Sequence, residues 1–158
     1  MSEPEHKVVI YGSRTLGERA NQRVFVCLDY IFYHLREYYL VDSFTVVTGM
    51  AKGADLAGYE YAKNFAKLPY KEFPADWDKL GMQAGFIRNI AMAEEDGLVN
   101  GIMFWDGKSR GTEHMSIQLT NRGIGIIAVN FSSYKDEFGD WIVDDMKLDR
   151  KTLPGARL

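Results

Sequence analysis

Between Lys7 and Asn130, short β-like runs alternate with helix-length segments, and this alternation constrains the fold more than any other feature of the chain. It is the signature of successive βαβ units closing on a parallel sheet. Val8–Tyr11, Phe44–Thr48 and Ile124–Val129 are continuous apolar or β-branched runs, as expected of strands covered on both faces. Pro69–Phe73 and Val99–Trp105 are weaker runs of the same kind. Helices are predicted at about Glu18–Leu40, Ala54–Lys67, Gln83–Asp96 and Thr112–Arg122, each with apolar residues at helical spacing. The predicted fold class is α/β, a doubly wound parallel sheet of about five strands with helices on both faces. Residues 1–130 form that domain. Residues 131–158, polar and ending in Pro-Gly-Ala-Arg-Leu, read as an appended strand or short helix with a frayed tail, not as a second domain.

At 158 residues the chain has the length of one domain, with 46% hydrophobic and 26% charged residues, which excludes a disordered polyelectrolyte. The formal net charge of −3 supplies no basic field for bulk binding to nucleic acid or an anionic membrane. One cysteine, Cys27, excludes an intrachain disulfide and a cysteine-rich zinc site, so no metal is expected. The polar, acidic start lacks the basic and apolar regions of an export signal, which predicts a cytoplasmic protein. In Val24–Val41, 14 of 18 residues are apolar, but Asp29, His34, Arg36 and Glu37 interrupt the run, so a helix outside the membrane is expected. Tyr30, Phe32, Tyr33, Tyr38 and Tyr39 are too many for one buried face of that helix. They predict a homodimer through helix 24–41.

Right-handed crossovers gather the strand-to-helix loops at one sheet edge, where ligands bind in such folds. Glycines at 12, 17, 49, 53, 107 and 111 permit sharp turns and close backbone approach there. Arg14, Lys52, Lys108 and Arg110 add positive charge, and two of the loops run directly into helices, whose first N–H groups favour an anion. A phosphate or pyrophosphate matches. Two standard phosphate motifs are excluded: position 14 is Arg where the dinucleotide fingerprint needs Gly, and a Walker loop ending at Gly107-Lys108-Ser109 would need its first glycine at Ile102.

Gly12-Ser-Arg, Thr48-Gly49-Met-Ala-Lys-Gly-Ala-Asp55, Pro74-Ala-Asp-Trp-Asp78, Ala84-Gly-Phe-Ile-Arg-Asn89 and Ser109-Arg-Gly-Thr-Glu-His114 share the order and spacing of the SLOG superfamily. The chain most resembles its YspA/YpsA-related branch of Rossmann-like nucleotide-binding proteins, relatives of the LOG phosphoribohydrolases, molybdenum-cofactor carriers and DprA. The resemblance covers about Val8 to Val129. It implies a nucleotide or nucleotide-derived ligand across the strand ends, with phosphate on the Gly111-Thr112 helix start; no cofactor is expected. Gly12, Ser13, Arg14, Gly49, Lys52, Gly53, Asp55, Asp76, Trp77, Arg88, Asn89, Ser109, Arg110, Gly111 and Thr112 are the expected ligand-binding residues.

In the LOG enzymes an Arg-Lys pair and a Gly-Gly-x-Gly-Thr-x-x-Glu motif surround a nucleoside monophosphate whose N-glycosidic bond is cut. Arg88 matches the arginine, but Asn89 replaces the lysine and Met115 stands where that family carries glutamate. Glu113, two positions earlier, is turned roughly 200° around a helix at about 100° per residue, so it is no simple substitute. The leading expectation is therefore a binding or sensing module for a mononucleotide or an ADP-ribose-like ligand. The alternative is an N-glycosidic hydrolase using Arg88, Glu113 and Asp76 as catalytic residues, with Asp55 and Asp78 as further carboxylates. A second alternative, DprA-like single-stranded nucleic-acid binding, lacks a basic stripe. Five side chains keep two readings each: Asp55 as ligand contact or helix cap, Glu113 as ligand contact or favourable charge at a helix start, Arg88 as ligand contact or surface salt bridge, Trp77 as base-stacking group or packing plug, His114 as proton carrier or idle surface histidine.

Overall fold

The computed structural model describes residues 5–156. Its sheet comprises β1 (Lys7–Gly12), β2 (Thr45–Thr48), β3 (Tyr70–Glu72), β4 (Leu98–Trp105), β5 (Gly125–Lys135) and β6 (Trp141–Leu148). The order is β3-β2-β1-β4-β5-β6. The first five strands run parallel, and β6 returns antiparallel to β5. The helices are α1 (Asn21–Tyr39), α2 (Ala54–Glu60), the short α3 (Trp77–Leu80), α4 (Ala84–Ala93) and α5 (Arg110–Asn121). This is a Rossmann-like α/β fold, with the strand order reversing between β1 and β4.

Strand alternation divides the core in two. Val8 and Ile10 of β1 face a core built with α1 and α2, while Val9 and Tyr11 face Met92 and Ala93 of α4 and Met115 and Leu119 of α5. The sheet is thereby covered on both sides. Val24, Leu28, Ile31, Phe32 and Leu35 form the buried stripe of α1, each large apolar side chain contributing about 1.5–3 kcal/mol by burial.

Three elements depart from the regular pattern. The predicted helix from Glu18 opens with a 3₁₀ turn over Glu18–Ala20, and no side chain caps its start. The α2 segment continues as a π turn over Tyr61–Phe65, in which the consecutive Tyr61 and Ala62 are both buried. Tyr61 lies parallel to Phe32 and donates its hydroxyl to Asp29 Oδ1 at 2.6 Å. β5 runs past residue 130 into a hairpin, so the C-terminal residues extend the same sheet through a sixth strand.

The chain's own C-terminal segment covers part of the crowded face of α1. Leu153 is buried in the α1–α2 core, His34 Nε2 lies 2.8 Å from the Pro154 carbonyl oxygen, and the Arg150 guanidinium lies over the Tyr30 ring at 5.4 Å. Val26 and Tyr33 stay exposed, at 71% and 60%. Tyr30, Tyr38 and Leu40 are exposed as well, so an apolar surface remains along this helix beside the part that the C-terminal segment covers. No helix among the described residues is long and apolar enough to cross a membrane.

Candidate functional site

A cavity of about 450 Å³ opens beyond the carboxyl ends of β1 and β4, at the reversal of strand order where the two neighbouring crossovers diverge. Gly12 makes this position possible. A Cβ there would collide with the Phe104 carbonyl oxygen and lie 2.9 Å from Ala54 Cβ, so only glycine lets β1, β4 and the α2 start meet.

Asp106, directly after β4, ties two of the loops together. Its carboxylate accepts from Ser13 Oγ at 3.0 Å, Thr15 Oγ1 at 2.8 Å, and the N–H groups of Lys108 and Ser109 at 2.9 and 3.2 Å. Burial pushes its pKa up, but those donors outweigh it and hold the carboxyl below its usual range. The loop then enters α5, whose cap is Ser109: its Oγ accepts from Thr112 N–H at 3.3 Å and Thr112 Oγ1 at 2.9 Å. The N–H groups of Arg110 and Gly111 have no acceptor among the described residues. From the facing helix α4, Asn89 Nδ2 donates to the Gly111 carbonyl at 3.2 Å and lies 3.2 Å from His114 Nδ1. The start of α5 is thus fixed from two sides.

Arg88 projects from α4 beside it. Its Nη1 donates to the Gly49 carbonyl and its Nε to Asn89 Oδ1, while Nη2 makes no hydrogen bond among the described residues. Asp55, in the first turn of α2, is only 4% exposed yet lines the same cavity. Burial pushes its carboxyl up to about 6; the Arg88 charge and the N–H groups of Ala51, Gly12 and Gly49 oppose that rise. The two side chains do not form a direct ion pair, because Gly49 stands between them. A Cβ at Gly49 would lie 2.6 Å from both Arg88 Nη1 and Asp55 Oδ2. Burial likewise draws Arg88 below its ordinary pKa, with Asp55 opposing and Arg14 adding to the effect. Next to Gly49, Met50 holds a left-handed conformation, φ 61°, which costs a non-glycine residue energy and is stabilised by Met50 N–H donating to Thr48 Oγ1.

The opposite wall is apolar and exposed. Trp77 of α3, Met82 and Phe86 line it, at 47%, 90% and 46% exposure. Gly85 leaves room for the indole, since a Cβ there would stand 3.2 Å from the Trp77 ring. Tyr11 and Met115 close the floor, with Tyr11 Oη 2.8 Å from Ser116 Oγ.

Of the residues expected to bind ligand, the fold brings Gly12, Arg14, Asp55, Trp77, Arg88, Asn89, Ser109, Gly111 and Thr112 to this cavity. Six others do not line it. Ser13 is fully buried against Asp106, and Gly49 stands behind Arg88 and Asp55. Asp76 is exposed and caps α3 by accepting from Lys79 N–H at 3.2 Å. Arg110 is exposed on the first turn of α5. Lys52 and Gly53 line a different cavity. Glu113 and Asp78 are also exposed and outside the lining, whereas His114 packs on the Phe86 ring at 4.4 Å with its pKa lowered by burial. Asp55 is the only carboxylate in the lining.

Asp106, Tyr11, Phe86 and Met115 were missed as site residues. For Asp106 a signal existed: an aspartate between a strand and Gly107 is the pattern of a side chain folding back on the following N–H groups. Among the described residues no three metal-ligating side chains gather closely enough to hold an ion. The site can therefore hold an anion at one end, stack a ring at the other, and exchange a proton through Asp55 near pH 6. No family model matches the chain, and no curated protein or solved structure is significantly similar to it.

Proposed function

We propose that the chain binds a nucleotide or nucleotide-derived ligand as a binding or sensing module. The phosphate lies against the α5 start and Arg88, and the base lies against Trp77 and Phe86. One observation carries this reading: the unpaired Arg88 Nη2 and helix N–H donors at one end of a single cavity face exposed aromatic rings at the other. The volume of about 450 Å³ falls within the range of about 300–1,000 Å³ usual for small-molecule sites. The likeness of the five loop motifs to the SLOG superfamily supports the same ligand class, and membership of that superfamily is part of the proposal.

Thermal melting with mononucleotides, dinucleotides, ADP-ribose and its cyclic isomers is the test. A ligand that binds only the folded state raises the midpoint by mass action, about 2.7 kcal/mol of stabilisation at 100 times its Kd. Arg88→Ala should abolish the rise. A flat profile at millimolar concentration of every compound would remove the reading.

Asp55 favours a second reading, hydrolysis of an N-glycosidic bond. A buried carboxyl with a pKa near 6, held beside a cation in the same cavity, is suited to giving a proton to a departing base. Water adds across the bond: the sugar carbon takes the hydroxyl and the base nitrogen takes the proton. Free base released by the wild type and lost in Asp55→Asn, with binding retained, would support it. Intact ligand after prolonged incubation would exclude it.

A further inference from the structure

A second cavity, about 660 Å³, lies between α1 and α2 on the other side of the β1–α1 loop, and it takes two of the expected loop residues that do not line the first cavity, Lys52 and Gly53. Arg14 lines both cavities. Its backbone is held from two directions. Ser13 and Thr15, on either side of it, both donate to Asp106. Across the loop, Gly53 comes so close that a Cβ would stand 2.7 Å from Arg14 Cα, and Ala54 N–H donates to the Ser13 carbonyl at 3.2 Å. That contact carries Lys52 to the same junction. Neither Arg14 nor Lys52 has an ion-pair partner among the described residues.

The walls beyond the junction differ from those of an anion site. Phe25 and Phe65 present rings 5.0 Å apart, and Phe65 is 52% exposed. Asn21 and Asn64 bring amide groups, and Glu18 and Glu60 carboxylates; Asn64 Nδ2 donates to Glu60 Oε2 at 2.6 Å, which leaves the Asn64 amide oxygen and the second Glu60 oxygen to a ligand. Carboxylates repel a phosphate but accept hydrogen bonds from sugar hydroxyls, and amides match the edges of a base. Negative charge on a ligand is therefore confined to the junction, and a ring with a sugar suits the space beyond it.

We propose that the ligand is a dinucleoside diphosphate, or a diphosphate with a ring-bearing group at each end. One nucleoside occupies the first cavity, the diphosphate runs from the α5 start to Arg14 and Lys52, and the second nucleoside occupies the second cavity. This rests on the reading of the first cavity as a nucleotide site and extends it to a bipartite one.

Calorimetric titration with AMP, ADP and diadenosine diphosphate, and with the guanine series, tests it. For the preferred base the dinucleoside diphosphate should bind at least tenfold more tightly than the nucleoside diphosphate. Phe65→Ala and Asn64→Ala should each cut that advantage below threefold without changing nucleoside diphosphate affinity, with melting confirming that both variants fold. Lys52→Ala should weaken both diphosphates and spare the monophosphate. Equal affinity for the two diphosphates, or an advantage that survives both second-cavity variants, overturns the bipartite site. The first cavity then still stands if Arg88→Ala abolishes monophosphate binding. No binding by any of these compounds overturns both.

Discussion

The two ends of the switch-point cavity are built in opposite ways. At the cationic end, Asp106, Ser109 and Asn89 fix the start of α5 through hydrogen bonds reaching from β1, β4 and α4. At the aromatic end, α3 and the 3₁₀ turn Gly81–Gln83 bury no residue, and the single side-chain cap there is Asp76. Charge recognition depends on donors already aimed before the ligand arrives, whereas ring stacking tolerates adjustment. The difference teaches that the polar end of this cavity is preorganised and the aromatic end adaptable, since segments with little buried surface open at low free-energy cost.

Four variants would break or sharpen that contrast, in descending order of their effect on stability. Asp55 gives the largest. Its pKa is raised from the ordinary 3.8 to about 6, so the protonated form stabilises the fold fully below about pH 4 and that contribution is lost as pH rises through 6. At about 1.4 kcal/mol per pKa unit, Asp55→Asn should stabilise the protein by about 3 kcal/mol above pH 7 and by nothing near pH 4. Urea unfolding across that range measures it, and an anionic ligand should bind the variant more tightly at pH 7.5. A pH-independent difference would mean that the buried carboxyl does not titrate as described.

Asp106→Ala should cost about 2 kcal/mol, the scale of losing hydrogen bonds to a charged group. Amide exchange should accelerate at Ser13–Thr15 and Lys108–Thr112, with phosphate affinity falling by more than tenfold. Unchanged exchange in both loops would contradict a preorganised cationic end.

Gly111→Ala separates stability from binding. A Cβ at Gly111 would meet nothing within 4 Å, so the helix should gain about 0.5–1 kcal/mol from the alanine. The added methyl would stand beside the free N–H groups, and phosphate affinity should drop about tenfold. Equal ligand affinity would move the phosphate away from the α5 start.

Trp77→Ala should leave stability within about 0.5 kcal/mol, because the indole is half exposed. Stacking on a base is worth about 1–3 kcal/mol, so nucleotide affinity should fall at least fivefold while inorganic phosphate binds as before. Loss of phosphate binding as well would show that the two ends are coupled.

The parts legible in the sequence were those written in local pattern. The alternation of β-branched runs and helical spacing located β1, β2, β4, β5 and the four longer helices, because strands covered on both faces need continuous apolar runs. The weak Pro69–Phe73 run became only the three-residue, exposed edge strand β3. Ionisable and glycine positions in the loops located the cationic end. Less legible were partners distant in sequence: Asp106 reaches back 93 residues to Ser13, and Asn89 reaches forward 22 to Gly111. Residue type alone also failed to separate Lys52 from Arg14. Both are cations in glycine loops, but they line different sets of cavities because Gly53 turns the α2 entry past the β1 loop.

By itself the sequence determined an α/β order of elements and a charged, glycine-rich edge, since backbone propensity and side-chain periodicity act over a few residues. Tertiary structure alone decided which loops meet: it placed Asp55 under cover beside Arg88, withheld Asp76 and Glu113 from the cavity, and folded the C-terminal segment over α1. Those outcomes depend on crossover direction and close packing between segments far apart in the chain, and no local pattern carries that information.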